Sequence, residues 1–559
     1  MPPWIGPKIF TPISLSDSTY LNSMPINRPV HEIASAIATA RNHRECVIAP
    51  DPNKSPKPGP GWSRGCSPMC GASGYRRIGE MKNPRTLLRI TAWGVVLTVT
   101  AASLAALPAS AAPASASAAP QWTDCKPEGK DDPAVVQGSQ CATLKLPVDW
   151  RNPSGPTFNL EIARRTAKQP AERVGVLVFG PGGPGDSGID RIKTGISRFS
   201  PELQDRFDIV SFDPRGIARS NPIKCTSSLY AAMPSPLVRD QAEFDALIDY
   251  NRRLADDCRK HTGPLYDHVD TWQTVRDVDA IRRALGERQI TFHGSSYGTP
   301  LGAQYAETYP QRVRAMVLES VLDHSLATPR QFLDPQAASV QDSFDEFVDW
   351  CDRTTTCALH GQDVRARWAE LRKQSDNPFM ASFAVFRMLY GPQWSALATT
   401  LQKGVIPTPP PPTTELVANT LVPFCQDWDL RVGTYPEYAG LLARLARNNP
   451  DMPYPGQFMA ISLCLGAPKA NNPQHRLDVD HLKTPILLSN ARHDPATAYS
   501  MAQNVQRQLG RDGVLLTYEG WGHGSYNKSP CMTDTIDNYL INRNIPKPGT
   551  TCAAVPPVG

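Results

Sequence analysis

The chain has 559 residues, 40% of them hydrophobic, and a formal net charge of +5. That length can bury a large core and on its own allows three or four domains. The charge is spread without a basic block, so nothing points to nucleic acid or a membrane surface as partner.

Residues 1–80 are rich in Pro, Gly, Ser and Arg and show little periodicity. They are expected to be a misassigned extension of a chain that starts at or near Met81. The alternative is a disordered region ahead of a membrane anchor. Met81-Lys82-Asn83-Pro84-Arg85 begins a basic segment, Ile90 to Leu107 is apolar and uncharged, and Ala109-Ser110-Ala111 offers small residues for cleavage. Residues 81–111 thus have the make-up of a secretory signal peptide, and 112–124 that of a spacer or pro-segment. No Cys lies directly after the apolar stretch, the first being Cys125, which argues against a lipid anchor. The expected location is extracellular, free or at the cell surface, with no stable membrane association once the signal is cleaved.

Of the 13 cysteines, three (Cys46, Cys66, Cys70) precede the signal and ten follow it. An even set beyond an export signal predicts five disulfides, most simply between sequential neighbours. The part after the signal has no C-x-x-C, and no H-E-x-x-H occurs anywhere, so a metal site is disfavoured.

From Cys125 to about residue 324 the chain alternates strands with helices. Strands are predicted at Phe158–Ala163, Val174–Phe179, Phe207–Phe212, Gln289–His293 and Val313–Leu318. A helix is predicted over Thr274–Leu285, closed by Gly286. Residues 325–480 break this rhythm with tryptophans, charged helical stretches and the run from Pro407 to Pro412. They read as an inserted, mainly helical cap with a polyproline connector. From 481 to 559 the pattern resumes, with strands at Thr484–Ser489 and Val514–Tyr518 and a helix at Ala498–Leu509. The alternation predicts an α/β-hydrolase fold: a mostly parallel sheet flanked by helices, interrupted by the cap.

Gly294-Ser295-Ser296-Tyr297-Gly298 follows one predicted strand and precedes the helix-like Thr299–Ala306. Strand, glycine turn and helix form a nucleophile elbow that lifts Ser296 above the sheet edge. The serine then needs a base, and the base an orienting acid, in the order Ser, Asp, His. Asp494 and His523 both lie in loops past predicted parallel strands, where such sheets build their sites. His493 precedes the acid and is expected at the surface or behind the site, and His293 in the core. The oxyanion hole should follow an early strand. Gly180-Pro181-Gly182-Gly183-Pro184-Gly185 supplies it, with the N–H groups of Gly183 and Tyr297 as donors.

The same loop formally matches the dinucleotide fingerprint, but Pro184 lacks an N–H where a pyrophosphate would want one. No cofactor is expected. Gly185-Asp186-Ser187-Gly188 resembles a chymotrypsin-type serine motif, yet no His lies between the signal and Ser187.

Taken together, Gly180–Gly185, Phe212-Asp213-Pro214-Arg215-Gly216, Gly294–Thr299, His493–Thr497, Gly522-His523-Gly524 and the terminal pair Cys531 and Cys552 carry a family resemblance over residues 122–555. The chain resembles secreted tripeptidyl aminopeptidases of the streptomycete type, in the proline-iminopeptidase branch of α/β-hydrolases. Ala218 and Ala498 depart from the usual D-x-R-G-x-G and Thr-Pro patterns without removing a reactive group. The resemblance implies Ser296 as nucleophile, Asp494 as orienting acid, His523 as proton carrier, and release of N-terminal tripeptides. Substrates would be peptides or proteins with a free N-terminus. An ammonium buried without a counter-charge is costly, so a carboxylate should meet it. Asp427, next to Cys425 and Trp428, is the first candidate and Glu319 the second. Removal of a single residue such as proline, or an esterase or lipase using the same groups, are the alternatives, and the sequence is silent on oligomeric state.

Overall fold

The computed structural model describes residues 119–127, 135–406 and 412–557. The predicted signal peptide, the segment before it and most of the polyproline run lie outside the described residues. Among the described residues twelve strands occur in chain order: β1 Thr123–Asp124, β2 Gln140–Pro147, β3 Thr157–Arg165, β4 Gly175–Gly180, β5 Phe207–Phe212, β6 Lys224–Thr226, β7 Ile290–Ser295, β8 Val313–Glu319, β9 Leu416–Ala418, β10 Ile486–His493, β11 Gly513–Trp521 and β12 Thr551–Cys552.

Ten of them form one sheet in the order β1-β2-β3-β5-β4-β7-β8-β10-β11-β12. From β5 to β12 the pairs are parallel, while β1, β2 and β3 attach antiparallel at one edge. The fold is thus the expected mostly parallel sheet covered by helices. The central strands β4, β5, β7, β8 and β10 are buried on both faces, so they read as continuous apolar runs and were visible in sequence. β2, next to the two-residue β1 at the sheet edge, alternates buried and exposed residues and is not singled out by such a run.

Two apolar clusters sandwich the sheet. One packs helices Gln241–Thr262, Thr271–Ala284 and Gly298–Thr308 on one face. The other packs Gly188–Lys193, Pro201–Arg206 and Pro530–Asn542 on the opposite face.

Between β8 and β10 the described residues form seven helices, from Pro329–Arg353 to Phe458–Leu463. Four of them, between Pro329 and Lys403, build a core of their own around the fully buried Trp368. The others join the rest of the chain: β9 pairs with β6, Asn251 donates to the carbonyls of Ser462 and Leu465, and Tyr438 donates to that of Pro236. The ten described cysteines pair as sequential neighbours, 125–141, 225–258, 351–357, 425–464 and 531–552. Among the described residues no helix is long and apolar enough to cross a membrane.

Candidate active site

Ser296 sits between β7 and the helix Gly298–Thr308 with φ +55°, a left-handed conformation costly for a residue with a Cβ. The surroundings hold it there. Its N–H donates to the carbonyl of Glu319 at 2.9 Å, and its carbonyl accepts from Thr299 N at 2.8 Å and Thr299 Oγ1 at 2.6 Å. Both flanking glycines are obligatory. A Cβ on Gly294 would overlap the carbonyl of Gly298, and one on Gly298 would overlap that of Gly180. The tight elbow thus follows from Ser296 having small neighbours on both sides.

The glycine loop after β4 lies directly against this turn. A Cβ on Gly182 would stand 3.0 Å from Ser296 Cβ, and Gly183 has φ +110°. Buried Asp213, from the Phe212–Gly216 motif, anchors the far end of the loop. It accepts from Ser187 Oγ at 2.6 Å, Ile189 N at 3.1 Å and Arg219 N at 3.0 Å. The amide of Tyr297 opens the helix Gly298–Thr308, where partial positive charge gathers.

Asp494 follows β10 and is fully buried. Its carboxylate accepts from Ala496 N at 2.8 Å, Thr497 N at 3.0 Å and Thr497 Oγ1 at 3.1 Å. His523 Nδ1 lies 3.0 Å from each of its oxygens. The carboxylate therefore fixes the proton on Nδ1 and leaves Nε2 as the basic nitrogen. The His523 ring is itself packed by Tyr390, from the end of the helix Pro378–Leu389, with centroids 4.9 Å apart.

His493 turns away: its Nδ1 is 2.8 Å from Asp342 on the helix Pro329–Arg353, and its ring stacks on Trp521. His293 is fully buried in β7, ringed by Phe179, Phe199 and Tyr526.

The two acids expected to meet a substrate ammonium are interior residues. Asp427 is buried and accepts four hydrogen bonds: from Thr271 N and Thr271 Oγ1 at 2.7 Å, Asn472 Nδ2 at 2.8 Å and the Tyr297 hydroxyl at 2.6 Å. Burial raises its pKa against these donors. Glu319 is 1% exposed and binds Arg198, His293, Ser525 N and Tyr526 N. Burial alone would raise its pKa, but Arg198 and His293 reverse this and hold it well below the usual carboxylate range. With their oxygens taken by donors of the chain itself, neither acid is presented to solvent as a free carboxylate. Asp427 instead supports the side chain of Tyr297, the residue after the elbow serine. Sequence spacing could not reveal this, because Thr271, Tyr297, Asp427 and Asn472 are brought together from far apart in the chain.

A serine on a strained elbow, a buried carboxylate on a histidine and a glycine loop against the serine are the furniture of a serine hydrolase. The alpha/beta hydrolase fold family matches residues 175–528, and the chain belongs to it. Serine protease Hip1 of Mycobacterium tuberculosis is 28% identical over 499 residues, covering 77% of this chain and 90% of that one. The tripeptidyl aminopeptidase of Streptomyces lividans is 28% identical over 478 residues, covering 77% and 86%. Carboxylesterase B of M. tuberculosis is 28% identical over 504 residues, covering 77% and 89%. The chain is a serine hydrolase similar to tripeptidyl aminopeptidases.

Proposed function

We propose that the protein is an exported serine exopeptidase that releases tripeptides from the free N-terminus of peptides and proteins. The observation that carries the mechanism is His523 held on both oxygens of Asp494, with Glu319 bonding both the Ser296 amide and the amides just past His523. His523 Nε2 takes the proton of Ser296 as Oγ attacks the scissile carbonyl. The amides of Gly183 and Tyr297 stabilise the oxyanion, a contribution worth about 10²–10³ in rate per donor. His523 then passes its proton to the leaving amine, and water releases the acyl product by the same route. Similarity to a peptidase and a tripeptidyl aminopeptidase supports the peptide bond as target. Five disulfides support an oxidising compartment.

A second reading is ester hydrolysis by the same groups, favoured by the similarity to a carboxylesterase. The protein from Ala112 onward should be assayed on a tripeptide chromogenic amide, its N-acetylated form, a proline amide and a short-chain ester. The tripeptide amide is expected to be the best substrate, acetylation to abolish its cleavage, and Ser296→Ala to be inactive. Undiminished cleavage of the acetylated amide would sink the exopeptidase claim, and full activity of Ser296→Ala would sink the mechanism.

A further inference from the structure

Glu319 stands at the end of β8, the strand between the one that delivers Ser296 and the one that delivers Asp494. Its main chain and side chain hold opposite halves of the site. The carbonyl accepts the N–H of Ser296 at 2.9 Å. Carboxylate Oε1 accepts the amides of Ser525 at 2.7 Å and Tyr526 at 2.8 Å, just beyond His523. Its neighbour Ser320 completes the hold, with Oγ accepting the amide of Gly524 at 2.9 Å. Three consecutive amides after the histidine are thus captured by two consecutive residues, the first of which also fixes the serine.

The second oxygen is equally occupied. Oε2 meets Arg198 and lies 2.9 Å from His293 Nε2. Burial disfavours the charged form of His293, so the neutral ring donates through Nε2–H, and its Nδ1 has no hydrogen-bond partner among the described residues. Arg198 comes from the segment after the glycine loop and also reaches Ser295 Oγ at 3.4 Å. A buried ion pair with this many partners gains less in net stability than it costs to break. Its position suggests what it is kept for.

We infer that Glu319 is a positioning residue: it sets the distance between Ser296 and His523 by holding the serine amide and the histidine loop at once, with Arg198 and His293 keeping its carboxylate oriented. The inference rests on Ser296 and His523 being nucleophile and base. Its loss would misplace the base, and a misplacement of about 1 Å can cost about 10²-fold in rate.

The test is the rate at which a fluorophosphonate labels Ser296, normalised to the folded fraction from circular dichroism. In this reaction Ser296 Oγ bonds to phosphorus, the phosphorus–fluorine bond breaks, fluoride leaves and His523 takes the proton. Glu319→Ala is expected to label about 10²-fold more slowly. Glu319→Gln should recover part of the rate, because its amide oxygen still accepts the Ser525 and Tyr526 amides and His293 can move its proton to Nδ1, while its NH₂ no longer accepts from Arg198. Folded Glu319→Ala labelling at the native rate, or Glu319→Gln as slow as Glu319→Ala, would overturn the inference. Native protein that fails to label at Ser296 would instead overturn the nucleophile itself.

Discussion

The main-chain N–H of His523 donates to the carbonyl of Tyr390 at 2.7 Å. One residue belongs to the loop after β11, the other to the helical insertion. The insertion therefore closes the backbone of the histidine loop, while the Tyr390 ring packs on the imidazole.

This contact leaves no room beside it. Gly522 has φ +94°, and a Cβ there would stand 2.6 Å from Pro392 Cδ and 2.7 Å from the Tyr390 carbonyl oxygen. Gly522→Ala should push the histidine loop off the insertion and lower kcat by about 10²-fold, with KM changed far less. Steady-state kinetics on the best substrate will show it; an unchanged kcat would mean the contact is dispensable.

Asp494→Asn should fold, since the amide oxygen can still accept the Ala496 and Thr497 amides. It would present an NH₂ group to His523 Nδ1 and force the proton onto Nε2, where it blocks the base. A fall in kcat of about 10⁴-fold is expected, with a melting temperature near that of the native protein. Retention of more than a tenth of the activity would remove Asp494 from its role as the orienting acid.

Asp270 caps the helix Thr271–Ala284 through Gln273 N, and its Oδ2 is buried with no hydrogen-bond partner among the described residues. Burial, then the neighbouring Asp427, pushes its pKa up to about 6. Because the folded value lies above the unfolded one, this acid favours folding when protonated. That contribution is present below about pH 4 and is lost as pH rises to about 6. Asp270→Asn keeps the cap without the charge. Its advantage in urea unfolding should be nearly absent near pH 4 and open to about 3 kcal/mol above pH 6. An advantage independent of pH would contradict the shifted carboxyl.

The Cys425–Cys464 bridge spans 39 residues and adjoins Asp427, which holds the Tyr297 hydroxyl. Replacing both cysteines by alanine should cost about 4 kcal/mol from loop-closure entropy alone. It should also lower kcat by loosening the support of Tyr297. Thermal melts and kinetics at a temperature where the variant is folded separate the two effects, and native kcat in the folded variant would disconnect the bridge from the site.

Ser296 was legible in the sequence because an elbow is a local event: glycine on each side, a buried strand before it, a helix after it. Asp494 and His523 were legible as loop residues following recognisable strands, though their meeting at 3.0 Å is a fact of the fold. Paired cysteines were legible because each partner is its neighbour in the cysteine order, so the chain between them closes a modest loop. β2 escaped because a strand with one wet face alternates and has no apolar run.

Asp427 and Glu319 show where local reading ends. Both were identifiable as acids near important segments, and their residue types suited a substrate ammonium. Burial and partners decide what a carboxylate does, and those partners lie far away along the chain: Thr271 and Tyr297 for Asp427, Arg198 and Ser525 for Glu319. By itself the sequence determined the strand order of the chemistry and the groups at its strand ends, since hydrophobic period and glycine placement act over a few residues. Only the tertiary structure decided which acids face inward, and that the insertion holds His523, because hydrogen bonds between distant segments leave no period in the sequence.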